Sequence, residues 1–128
     1  MEWSDLPSSG NDEIDSQHKN ILILLDKLIL AYDSSKMTSE FTIAFIEFNE
    51  AVQKHFAYEE TLLAKLNYKG LKNHQAGHEE IADLLNSISM LIILDEKNIP
   101  FSSIERLVKW FDQHIKNEDV KFFSNLTS

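Results

Sequence analysis

The sequence predicts an all-α fold, an up-down-up-down four-helix bundle preceded by an irregular N-terminal arm. Three observations predict it. Apolar residues recur at three- and four-residue steps through four successive stretches. Only 3 Gly and 2 Pro occur in 128 residues, which disfavours a turn-rich β fold and leaves room for long helices. With 43% hydrophobic and 26% charged residues, the chain has the composition of a soluble globular protein that closes one core, a single domain over 1–128.

The elements follow in order. Met1 to Asn11 reads as the arm, with Trp3, Pro7 and Gly10 among small polar residues. Packing is the ordinary role for Trp3, and closing one end of the bundle is the functional one. The first helix runs from about Asp12 to Asp33, its inner stripe Ile14, Ile21, Leu22, Leu25, Leu28, Ile29 and Tyr32. The second opens at Thr38 or Ser39 as N-cap, with Glu40 in its first turn. Its stripe is Phe41, Phe45, Phe48, Val52, His55, Phe56, Glu59, Leu63 and Leu66, and Gly70 is expected to end it in a left-handed cap. The third carries Leu71, His74, His78, Ile81, Leu85, Ile88 and Ile92 and ends by Asp95 and Glu96. The fourth starts after Pro100, where Ser102 and Glu105 have capping-box spacing. It continues with Ile104, Leu107, Val108, Phe111, His114, Ile115 and Phe122.

Charge and composition narrow the function. A net charge of −9 repels phosphate backbones and anionic lipid, so neither nucleic acid nor a membrane is expected as a partner. The apolar runs Ile21–Leu25 and Met90–Leu94 are too short to span a bilayer. The first residues have neither the basic nor the apolar segment of a signal peptide, so a cytoplasmic location is expected. Without cysteine there is no disulfide, iron–sulfur cluster or thiolate site, so a metal must be held by imidazoles and carboxylates.

All 5 histidines, His18, His55, His74, His78 and His114, fall on the inward stripes of the four helices. One histidine on an apolar face is ordinarily a satisfied core residue. Five of them, with none left for the surface, would be costly to bury separately, because each ring has a donor and an acceptor to satisfy. A shared metal site answers that cost. His55 with Glu59, and His74 with His78, have the i, i+4 spacing that stacks side chains on one face. Imidazole with carboxylate suits Fe, Zn, Cu or Ni rather than Mg or Ca. A lone tetrahedral zinc needs fewer ligands, so two metals are expected, bridged by Glu59 and an acid after His114. With two bridging carboxylates and a bridging oxygen, the histidines divide as three and two. One metal is closed and the other keeps a vacant position, as a small diatomic ligand requires.

The segments Gly10 to His18, His55 to Glu60, His74 to His78 and Trp110 to Asp119 together resemble the hemerythrin family, the bacterial single-domain members in particular. The resemblance runs from the arm to the end of the fourth helix. One His, HxxxE, HxxxH and HxxxxD, in this order on four helices, is specific as a set, whereas any one element is weak. It implies two non-haem iron ions with an oxo or hydroxo bridge, and reversible binding of O2. The implied ligands are His74, His78 and His114 on the closed iron, His18 and His55 on the open iron, and Glu59 and Asp119 bridging. Ideal helical geometry favours Glu118, about 40° around from His114, over Asp119, about 140° around. The family pattern favours Asp119.

Phe111 and Tyr68-Lys69 depart from the family's smaller aliphatic and its Tyr-Pro pair, without touching the ligands. Ile21, Leu22, Phe56, Phe111 and Ile115 serve either as walls of an oxygen pocket or as plain core. The resemblance implies a carrier, storage or delivery role rather than an enzyme. The chain has no Glu-x-x-His motif of the ferritin-like oxidases. The alternatives are an oxygen or redox sensor acting on a partner protein, and a di-iron scavenger of peroxide or nitric oxide.

Overall fold

The computed structural model describes residues 11–35, 39–94 and 99–115. The arm up to Gly10, the Thr38 cap, Asp95, Glu96, Glu118, Asp119 and Phe122 lie outside the described residues. Among the described residues four helices form: α1 (Asp12–Ser35), α2 (Ser39–Lys65), α3 (Leu71–Ile93) and α4 (Phe101–Gln113). No strand occurs among the described residues. Helices adjacent in sequence are packed together, α1 on α2, α2 on α3 and α3 on α4, which makes the chain a four-helix bundle. No helix of the described residues is long and apolar enough to cross a membrane.

The start of α1 is set by Asn11. Its side-chain Oδ1 accepts the Ile14 backbone N–H at 3.0 Å, which satisfies one of the amides left open at a helix start. Asp12, Glu13 and Asp15 add negative charge at the positive end of the helix dipole.

The α2–α3 turn differs from the expectation. The left-handed residue is Asn67, at φ 54°, and not Gly70, whose φ is −87°. The Tyr68 N–H donates to the Leu63 carbonyl and the Asn67 N–H to the Ala64 carbonyl, each at 3.1 Å, the paired bonds of a Schellman turn. Glycine at position 70 has a different use: a Cβ there would sit 2.6 Å from the end of the Tyr68 ring, which would have to move. Leu66 lies past the last packed turn and is exposed.

The capping box expected at Ser102 and Glu105 does not form, because the helix begins earlier. Pro100 is the N-cap residue, extended at φ −61° and ψ 137°, and no side chain caps the helix. Beyond Gln113 the backbone widens into a π-type turn at His114 and Ile115.

The inner stripes otherwise pack as their periodicity requires. Ile21, Leu25, Leu28, Phe41, Phe48, Val52, Ile81, Leu85, Ile88, Leu107 and Phe111 belong to one large buried cluster. Ile29, Tyr32, Ile92 and Val108 are only partly buried against it. Ile14 and Leu63 form a second, smaller cluster, covered by Leu62, Tyr68 and Leu71. On α1 His18 falls between Ile14 and Ile21, and on α2 Glu59 falls between Phe56 and Leu63. A polar layer is thus enclosed by apolar packing above and below.

Candidate metal centre

Six polar side chains make up that layer. His18, His55, Glu59, His74, His78 and His114 are each no more than 7% exposed, and Glu59 has no exposed surface at all. Burial of this order is unusual for so many polar groups and requires partners for them.

Their ligating atoms converge into two groups. Glu59, His74, His78 and His114 form one, and His18, His55 and Glu59 the other, with the atoms of each group within 4.8 Å of one another. Glu59 belongs to both. Its Oε2 lies 3.1 Å from His55 Nε2, while its Oε1 faces His74 Nε2 in close contact and lies 3.4 Å from His78 Nε2. The two oxygens of one carboxylate are therefore divided between two sets of histidines. That is the arrangement of a bridging ligand.

The rings are held from behind. His78 stacks on Phe56 with centroids 3.8 Å apart and planes 7° off parallel. His114 stacks on Trp110, one turn earlier in α4, at 4.2 Å and 13°. His74, His78 and His114 stand at 53° to 77° to one another with centroids 4.5 to 5.3 Å apart, so their edges point inward from three directions. His18 and His55 meet edge to face at 4.9 Å and 69°.

Hydrogen bonds set which ring nitrogen carries the proton. Gln17 Nε2 donates to Glu13 Oε1 at 2.9 Å, which turns the amide oxygen toward α2. Gln17 Oε1 lies 2.7 Å from His55 Nδ1, so the ring must donate from Nδ1. Glu60 Oε2 lies 3.0 Å from His78 Nδ1 and requires the same tautomer there. In the neutral form of each ring the Nε2 lone pair then faces a Glu59 oxygen. His78 Nε2 has no hydrogen-bond partner among the described residues. Lone pair against carboxylate is unfavourable in a dry interior, and a cation between them reverses the sign. The residues present thus fit a metal ion. Imidazole and carboxylate without thiolate match the borderline transition metals, iron among them.

All five histidines and Glu59 come together as expected, while Asp119 and Glu118 lie outside the described residues. Ile21, Leu22, Phe56, Phe111 and Ile115 are all buried in the large apolar cluster. A cavity of about 540 Å³, lined by residues that include Tyr68, Gly70, Asn73 and Trp110, reaches His74 and His114. Gln17, Glu60 and Trp110 had no part in the sequence reading beyond lying in the matched segments. The i, i+4 spacings of Glu13 with Gln17 and of Trp110 with His114 were the available signals.

A four-helix bundle enclosing a buried histidine–carboxylate pair of ligand groups defines a non-haem metal-binding protein. The family profile described as the hemerythrin HHE cation binding domain matches residues 9–126. The chain belongs to the hemerythrin family. It is 28% identical to a myohemerythrin of Riftia pachyptila, over 97% of this chain and 92% of that one. A bacteriohemerythrin of Clostridium acetobutylicum is 26% identical, over 94% of this chain and 96% of its own. A hemerythrin-like protein of Naegleria gruberi is 27% identical, over 94% and 88% respectively. A solved crystal structure of a leucine-to-phenylalanine mutant superimposes with a TM-score of 0.87 over 97% of both chains, at 23% identity, and supports the fold. The match is to a family described by its cation binding.

Proposed function

We propose that the chain is a single-domain protein that binds two non-haem iron ions and uses them to bind O2 reversibly, for carriage, storage or delivery. The observation that carries this reading is the division of the two Glu59 oxygens between two histidine groups. In this reading His74, His78 and His114 hold one iron and His18 and His55 the other, with Glu59 and Asp119 shared. The iron pair would supply the reversible binding of O2, at the position with one histidine fewer.

The chain's own residues do the rest. Glu60 and Gln17 hold the imidazoles in the tautomer that presents Nε2. Phe56 and Trp110 fix ring planes by stacking. Ile21, Leu22, Phe56, Phe111 and Ile115 would form apolar walls that exclude water and protons from the bound gas. The cavity against His74 and His114 offers a route for loading an ion.

Anaerobic loading with Fe(II), dialysis and iron analysis test the ligand set. The reading expects two irons per chain. It is abandoned if iron remains substoichiometric, and the carrier role is abandoned if steady turnover of peroxide or nitric oxide exceeds that of free iron. The acidic surface and the expected cytoplasmic location belong to the same proposal.

A further inference from the structure

The two histidine groups differ in what stands behind them. His78 Nδ1 is bonded at 3.0 Å to the carboxylate of Glu60. His55 Nδ1 is bonded at 2.7 Å to the neutral amide of Gln17, whose own Nε2 donates to the Glu13 carboxylate at 2.9 Å. A carboxylate accepting the Nδ1 proton pulls it outward and leaves more electron density on Nε2, so the ring is the stronger donor to a cation. An amide does this much less, because it carries no charge.

We propose that Glu60 and Gln17 are unequal positioning residues that set the two metal positions apart. Glu60 strengthens the three-histidine position, and the Glu13–Gln17 relay keeps the His18–His55 position the weaker and more readily exchanged. The proposal rests on the reading that these histidines hold metal, and it adds what makes the two positions unequal beyond their count of ligands. Both partners reach across helices, Glu60 from α2 to His78 on α3 and Gln17 from α1 to His55 on α2, so what distinguishes them is charge.

The test uses Co(II) as the probe, loaded anaerobically into the full chain and withdrawn by a competing chelator, with the visible spectrum reporting each phase. Wild type should take two equivalents and release them in two phases. Glu60→Gln should weaken the slower phase by about 10- to 100-fold, the usual effect of losing an outer partner. The double variant Glu13→Gln with Gln17→Glu keeps net charge and the number of hydrogen bonds. It moves the carboxylate one bond closer to His55 and should tighten the faster phase by about tenfold.

Nitrogen NMR of the metal-free protein provides a second readout. His55 and His78 should both appear as Nδ1–H tautomers, and Glu60→Gln should move the His78 signals alone. Unchanged phases in both variants, with helical circular dichroism intact, would overturn the proposal while leaving the metal site standing. If wild type takes no Co(II) or Fe(II), both the site and this inference fail.

Discussion

At the scale of single residues, Glu59 is where charge, burial and geometry meet. A carboxylate with no exposed surface, set among imidazoles whose Nε2 lone pairs face it, is held in place at considerable desolvation cost unless a cation is present. Glu59→Gln keeps the size of the side chain and removes the charge shared by both groups. Iron content should fall from two per chain to one or fewer, measured by metal analysis after anaerobic loading. The second carboxylate gives a paired prediction. Asp119→Ala should lose iron and Glu118→Ala should retain it. The reverse outcome would reassign the ligand to the residue that ideal helix spacing favours.

At the scale of elements, helix ends show what a sequence discloses and what it hides. Gly70 looked like the left-handed residue because glycine adopts that conformation without strain, yet Asn67 adopts it, and Gly70 makes room for the Tyr68 ring. Composition alone cannot separate these two uses of glycine, since one concerns backbone angle and the other a neighbour's position. Asn67→Val should cost about 1–2 kcal/mol in urea denaturation, and Asn67→Gly should be near neutral. At the start of α1, Asn11→Ala should cost about 1 kcal/mol by removing the bond to the Ile14 amide. The box at Ser102 and Glu105 failed for a comparable reason. Pro100 supplies the extended residue before the helix, so α4 begins two residues sooner and Ser102 falls inside it.

At the scale of the whole molecule, the bundle and most of its centre were legible because both depend on one periodicity. A 3.6-residue repeat places apolar residues and histidines on the same inward faces, and the structure buries all five histidines and most of the apolar residues. Glu60 and Gln17 were not legible as partners, because their contacts reach across helices to His78 and His55, 18 and 38 positions away. Periodicity says which face a residue takes, and not which residue it meets there. The same logic separates core from surface. Phe48→Ala, in a fully buried site beside Phe111, should cost about 3–5 kcal/mol, while Ile93→Ala at 73% exposure should stay within about 0.5 kcal/mol. Metal binding should also raise thermal stability, by about 2.7 kcal/mol when the free ion stands at a hundred times its dissociation constant.

The most direct test of the central claim is oxygen uptake by the iron-loaded protein. Two Fe(II) per chain are loaded without air, O2 is admitted, the visible spectrum is followed, and the gas is then removed under vacuum. One O2 should be taken up per two irons, with a new visible band that disappears on evacuation and returns on readmission. An irreversible change to a ferric spectrum, with no O2 recovered, would contradict it.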